Sequence, residues 1–196
     1  MKKPKIIVVV DTETSGPLRA FRGLVPYHNL LEIGAVEVVL GTMPTICRTF
    51  YVMLKPLTEY YDSESIEYTS GKTLKYYSEN GEEPKEAIEK FIEFLLDIKS
   101  VTKKKVLLAS DNPEFDVGWI RLYLELYGYD AGEILHHNPM SIKDLARGLM
   151  RDLRTNLYNL PTKFRVPALH SHNALDDALR NAEIFIKLLQ ELSYSQ

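Results

Sequence analysis

Two short stretches of the chain carry side chains whose types and spacing could do chemistry. In "DTETSG", Asp11 and Glu13 stand two apart where the apolar run Ile6 to Val10 ends. Side chains alternate along a strand, so both carboxylates project from the same face. Two acids side by side at the mouth of a buried strand repel each other unless a cation or a proton intervenes. Near the other end, "HSHNALDDALRNAEIF" puts His172 five residues before Asp177, with Asp176 beside it. Such a helix start has two readings: acids stabilising the positive end of the helix dipole, or a metal ion and a proton acceptor meeting there. A third acid, Asp116, lies in "NPEFDVGWI", among apolar neighbours in the first turns of a helix entered after Pro113. Glu114 could serve the dipole of that helix equally well, so Asp116 is not needed for it.

The elements that must position these groups can be read from hydrophobic periodicity. "KIIVVVDTET" is short and β-branched, a central strand that leaves the core at Asp11. A loop follows, "SGPLRAFRGLVPYHN", punctuated by Gly16, Pro17, Gly23 and Pro26. "LLEIGAVEVVL" and "TICRTFYVMLKP" read as strands joined by a hairpin connection, "GTMP". The stretch from Ser65 to Glu83 is expected to hold a short helix or turn before an amphipathic helix, whose face is lined by Ala87, Ile88, Phe91, Phe94, Leu95 and Ile98. Lys103 to Lys105 lead into the strand "VLLAS"; the helix after Pro113 closes at Gly128; "PMSIKDLARGLMRDLR" passes from a short strand into a helix. The last helix runs from about Asn173, a suitable N-cap, to Leu192, with an apolar stripe through Leu175, Ala178, Leu179, Ala182, Ile186 and Leu189. That stripe leaves Asp176 and Asp177 on opposite flanks, and periodicity alone does not choose between them. Hairpin-linked strands followed by alternating helix and strand predict an α/β fold with a mixed sheet, in a single domain over residues 1–196.

Composition narrows the partners. The 196 residues have 45% hydrophobic and 26% charged side chains and a formal charge of −3, so a broad electrostatic grip on a nucleic-acid duplex is not implied. No apolar window is long enough to span a membrane. The single cysteine, Cys47, suits a reducing compartment and a cytoplasmic location, and its strand-like surroundings predict a buried, inert thiol. His28, His136, His137 and His170 are expected to be polar surface groups.

Taken in order, "DTETSG", "LLEIGAV", "NPEFD" and "HNALDDA" resemble the DEDDh exonuclease family, over about residues 5 to 190. The resemblance implies a ribonuclease H-like mixed sheet of about five strands flanked by helices. It implies a 3′–5′ exonuclease that releases nucleoside 5′-monophosphates from single-stranded DNA or RNA 3′ ends. It also selects Asp177 over Asp176. The catalytic set it implies is Asp11, Glu13, Asp116, His172 and Asp177. The four acids would hold two divalent cations, Mg²⁺ or Mn²⁺, roughly 4 Å apart, and His172 would be the general base.

Oxygen ligands suit these ions, and an imidazole of pKa near ~6.5 is largely neutral at pH 7 yet able to take a proton. Thr14, Ser15 and Gly16 through their amides, Phe115 and His172 are the expected substrate contacts. Arg19, Arg22, Trp119 and the arginines at 147, 151 and 154 are further candidates; Trp119 also reads as core and the three arginines as a solvated face. The long loop 17–29 and the region 60–80 depart from the family pattern, which bears on substrate choice. A partner polymerase, a homodimer and a catalytically silent end-binding module remain alternatives.

Overall fold

A computed structural model describes residues 5–19, 26–67, 69, 71–167 and 172–194. The strands are β1 (Lys5–Thr14), β2 (Leu30–Leu40), β3 (Thr45–Met53), β4 (Leu107–Ser110) and β5 (Met140–Ser141). The helices are α1 (Ser63–Glu67), α2 (Leu74–Asn80), α3 (Pro84–Thr102), α4 (Pro113–Leu126), α5 (Ala131–Ile134), α6 (Ile142–Met150) and α7 (Ala174–Tyr194), with a 3-10 turn at Thr162–Phe164. The strands form one sheet in the order β3–β2–β1–β4–β5. β1 is antiparallel to β2 and β2 to β3, whereas β1–β4 and β4–β5 are parallel. This is the mixed, five-stranded, helix-flanked sheet that the sequence predicts. Because β1, β4 and β5 run the same way, their carboxyl ends share one edge, the usual place for a site in such sheets.

Alternation along β1 sorts its side chains into two layers. Val8 and Val10 pack with α3, α4 and α5, where Trp119 is fully buried as the core residue the sequence favoured. Ile7 and Val9 pack with α6 and α7. Asp11 and Glu13 continue the second set, so they emerge on the α7 side of the sheet, and Thr12 emerges on the α4 side.

Four expectations are corrected. Cys47 is exposed, because β3 is the edge strand and turns its outer side chains to solvent. His28 is buried: its Nδ1 meets the Pro17 carbonyl at 2.8 Å and its ring lies under Gly16. The buried stripe of α7 runs through Ala174, Asp177, Ala178, Asn181, Ala182, Phe185 and Leu188, one residue round from the expected line, so that Leu175, Leu179, Ile186 and Leu189 are only half-buried. The region 60–80 holds two short helices, α1 and α2, in place of one. His170 and Arg22 lie outside the described residues. No helix among the described residues is long and apolar enough to cross a membrane.

Candidate active site

Three elements bring the acids to the sheet edge: β1, α4 and α7. β1 delivers Asp11 and Glu13. β4 pairs with β1 only as far as Ala109, which leaves the Thr12 main chain without a ladder partner on that side. The first turn of α4 supplies one: Asp116 Oδ1 accepts from Thr12 N at 3.2 Å and from Thr12 Oγ1 at 2.8 Å. Asp116 therefore sits at the β1 terminus, and its main-chain N–H bonds the Asn112 carbonyl.

α7 delivers the rest. Asn173 is its N-cap, the side-chain oxygen accepting from Leu175 N and Asp176 N. His172 precedes it with φ of 48°, in the left-handed region, a conformation uncommon outside glycine. Asp177 is buried and Asp176 exposed, so the helix turns only the former inward. Ligand atoms of Glu13, His172 and Asp177 all lie within 4.8 Å of one another. Asn181, one turn beyond Asp177, donates to Asp11 Oδ1 at 3.4 Å.

Electrostatics tie these groups into one cluster. Burial pushes the Asp11 carboxyl well above its ordinary range, and the charges of Asp116, Glu13, Asp177 and Asp111 push it further. Glu13 is raised to about 9, first by burial and then by Glu32, Asp177 and Asp116. Asp116 is raised to about 6 by burial, against the hydrogen bonds from Thr12 that favour its charged form. Mutually repelling, desolvated carboxylates are a demand for positive charge, and carboxylate oxygens with one imidazole suit Mg²⁺ or Mn²⁺. The residues present fit such ions.

The chain matches the RNase_T exonuclease family over residues 8–185. It belongs to that family. It is similar to the PolC-type DNA polymerase III of Caldanaerobacter subterraneus subsp. tengcongensis, 28% identical over 187 residues, which cover 94% of this chain and 12% of the polymerase. The chain thus spans about an eighth of the length of that relative. Its fold is similar to that of a 3′-exonuclease studied for 3′-end-specific recognition of a histone mRNA stem-loop (TM-score 0.71, 19% identity, 96% of this chain and 64% of that one). It is also similar to Escherichia coli exonuclease I in complex with a dT13 oligonucleotide (TM-score 0.66, 15% identity, 97% of this chain and 43% of that one). At these identities the two structures establish a shared fold.

Several of the expected substrate contacts are engaged within the fold. Thr14, Ser15 and Gly16 are buried, and the Ser15 amide already donates to the Asn29 carbonyl at 2.8 Å. The Ser15 hydroxyl donates to the Tyr60 carbonyl and accepts from Asn29 N. Ser15 thereby ties the long loop to the region 60–80. Phe115 is half-buried against the α3–α4 core, and Arg19 is exposed.

Periodicity did not reveal the support beneath α7. Glu32, fully buried on β2 opposite Glu13, accepts from the Ala174 amide at 3.2 Å, from Lys72 Nζ at 2.5 Å and from Tyr77 OH at 2.8 Å. Tyr51 also bonds it, and the phenols of Tyr51 and Tyr77 are both pushed upward by burial and by this carboxylate. One carboxylate thus satisfies an orphan amide of the helix that carries Asp177 and anchors the segment between α1 and α2. An acid flanked by Leu30, Leu31 and Ile33 was the available signal, since a buried charge requires a partner. Gly34, opposite Asp11, is the second support: a Cβ there would lie 2.0 Å from the Ala174 carbonyl oxygen. Only a residue without a side chain lets α7 begin directly on the sheet.

Proposed function

We propose that this chain is a metal-dependent 3′–5′ exonuclease acting on single-stranded DNA or RNA ends. The observation that carries the reading is the cluster itself, with His172, Glu13 and Asp177 mutually within 4.8 Å and Asp11 and Asp116 electrostatically coupled to them. Asp11, Glu13, Asp116 and Asp177 would hold two divalent ions, which when bound supply charge to the attacking and leaving oxygens. His172 takes the proton of the attacking water. Its half-exposed position lets the proton pass to solvent. Glu13, nearest the Ser15–Gly16 loop, is assigned to the terminal 3′ hydroxyl, which makes the site demand an end. The products are nucleoside 5′-monophosphates.

The test is a 5′-labelled oligonucleotide, DNA and RNA in parallel, with Mg²⁺ or Mn²⁺. Stepwise shortening from the 3′ end is expected, and an unchanged substrate of both kinds refutes the proposal. Asp11→Asn, Asp116→Asn and Asp177→Asn should each lower the rate by orders of magnitude, whereas exposed Asp176→Asn should cost little. Equal losses at 176 and 177 would mean that the wrong acid is assigned.

The similarity to PolC-type polymerases over 94% of this chain favours a second reading, that the exonuclease proofreads within a polymerase assembly. Co-purification with a polymerase, together with preference for a mispaired primer end, would favour it.

A further inference from the structure

Beside the carboxylate cluster, on the same sheet edge, stands a group of side chains that the mechanism does not use. Ser110 and Ser141 are partners in the β4–β5 ladder; Asp111 directly follows the first, and Lys143 stands two residues after the second, in the first turn of α6. Lys143 Nζ is 4.0 Å from Asp111 Oδ1, and that buried oxygen has no hydrogen-bond partner among the described residues. Arg180 comes from α7, three residues after Asp177 and next to Asn181, whose amide touches Asp11. That spacing sets it on the pocket's flank of the helix. Its Nη2 donates to the Leu157 carbonyl at 3.1 Å, and its guanidinium lies over the ring of Tyr158, 4.8 Å from the centroid. Tyr158 itself is 56% exposed, with that cation on one face.

Arginines 147, 151 and 154 do not share this role. Arg154 is paired with Asp152, Arg151 is exposed at the left-handed C-cap of α6, and Arg147 is taken up by Asp144 and the Thr155 carbonyl. Arg147 holds the 151–158 segment folded back, which presents Tyr158 beside Arg180. Two cations and an aromatic face thus border a strongly anionic pocket, and Asp111 is the only carboxylate within salt-bridge distance of Lys143 among the described residues. Lys143 and Arg180 both stand near enough to Asp111 for their charges to oppose the upward push that burial gives its carboxyl, and a phosphodiester offers such a pair more acceptor oxygens than one short carboxylate does.

The geometry points to a second nucleic-acid subsite, in which Lys143 and Arg180 take a backbone phosphate neighbouring the one cut and Tyr158 stacks on a base. It deepens the exonuclease reading and rests on it for the identity of the chain bound. Stacking and phosphate contact are both tolerant of sequence, as an enzyme advancing along a strand requires.

The test separates binding at this subsite from chemistry at the carboxylates. Binding of a fluorescent single-stranded oligonucleotide is measured by anisotropy over a salt series, with Ca²⁺ present to screen the acids. Hydrolysis of thymidine 5′-(p-nitrophenyl) phosphate, which has no second phosphate, is measured with Mn²⁺. Arg180→Gln and Lys143→Gln should each weaken oligonucleotide binding about tenfold and lower the slope of log K against log salt by part of the about 0.7 that belongs to one single-strand phosphate contact, which the double variant should lose in full. Tyr158→Leu should weaken binding with the slope retained. The loss in kcat/KM on oligonucleotide should exceed that on the small ester by at least fivefold. Unchanged salt slopes in both cation variants, or equal losses on both substrates, would overturn the subsite. If the wild type cleaves neither substrate while the slopes still fall, the exonuclease reading fails and the subsite stands.

Discussion

Gly34→Ala tests whether the site depends on how closely α7 approaches the sheet. The new Cβ would stand 2.0 Å from the Ala174 carbonyl oxygen, 2.2 Å from its carbonyl carbon and 2.4 Å from the Leu175 nitrogen. All three are backbone atoms, so no side chain can rotate out of the way. Ordinary contact begins at 3.4 Å, so the start of α7 must retreat from β2 by about 1.4 Å. Overpacking of this kind costs about 1–3 kcal/mol, which for a chain of this size lowers Tm by roughly 2–12 °C. The effect on rate should be larger in proportion, because His172 and Asp177 ride on the displaced turn while Asp11 and Glu13 stay with β1. A misplacement near 1 Å can cost on the order of 10²-fold. The assay is kcat/KM on a labelled oligonucleotide beside a melting curve. Gly148→Ala serves as the control, since a Cβ there meets nothing within 4 Å, and its α6 position should make it neutral or slightly stabilising. Wild-type rate and Tm in Gly34→Ala would refute the close-approach argument. A lowered Tm with unchanged rate would show that the helix start can move without moving the site.

Other consequences follow from the buried charges. Glu13 has a folded pKa of about 9 against an ordinary 4.5, so the folded chain holds its proton more tightly than the unfolded one. Stability of the metal-free protein should therefore fall as pH rises from about 4.5 to about 9, in the same sense as the raised Asp11 and Asp116. Millimolar Mg²⁺ or Mn²⁺ should restore it, and Asp11→Asn should melt above wild type in chelator; a melting temperature indifferent to pH and to both ions would contradict this. Glu32→Gln leaves Lys72, whose side chain is only 18% exposed, without its partner. Destabilisation toward the lower end of about 3–5 kcal/mol is expected. The double variant Glu32→Gln/Lys72→Met should recover part of it, and strict additivity in denaturant melts would show that the pair is not coupled.

What the sequence determined by itself was whatever lies within one element or in the order of elements. The alternation in "KIIVVVDTET" put Asp11 and Glu13 on one face, the mixed strand and helix order produced the sheet class, and Asn173 marked the helix start. The four motifs in order pointed to the family. Periodicity locates a stripe only to within about a residue, so the choice of Asp177 over Asp176 came from the family resemblance, and the structure turns Asp177 inward because of the side of α7 on which the sheet lies. Tertiary structure alone decided the rest. Cys47 is exposed because β3 is the edge strand, and a strand's own pattern does not say which neighbours it has. The support at Glu32 joins residues 40, 45 and 142 positions apart, and the Lys143–Arg180–Tyr158 border unites α6, α7 and the segment before it. Side-chain alternation and helical repeat are properties of a local backbone, whereas a buried charge is satisfied by whatever the fold brings within about 3 Å of it.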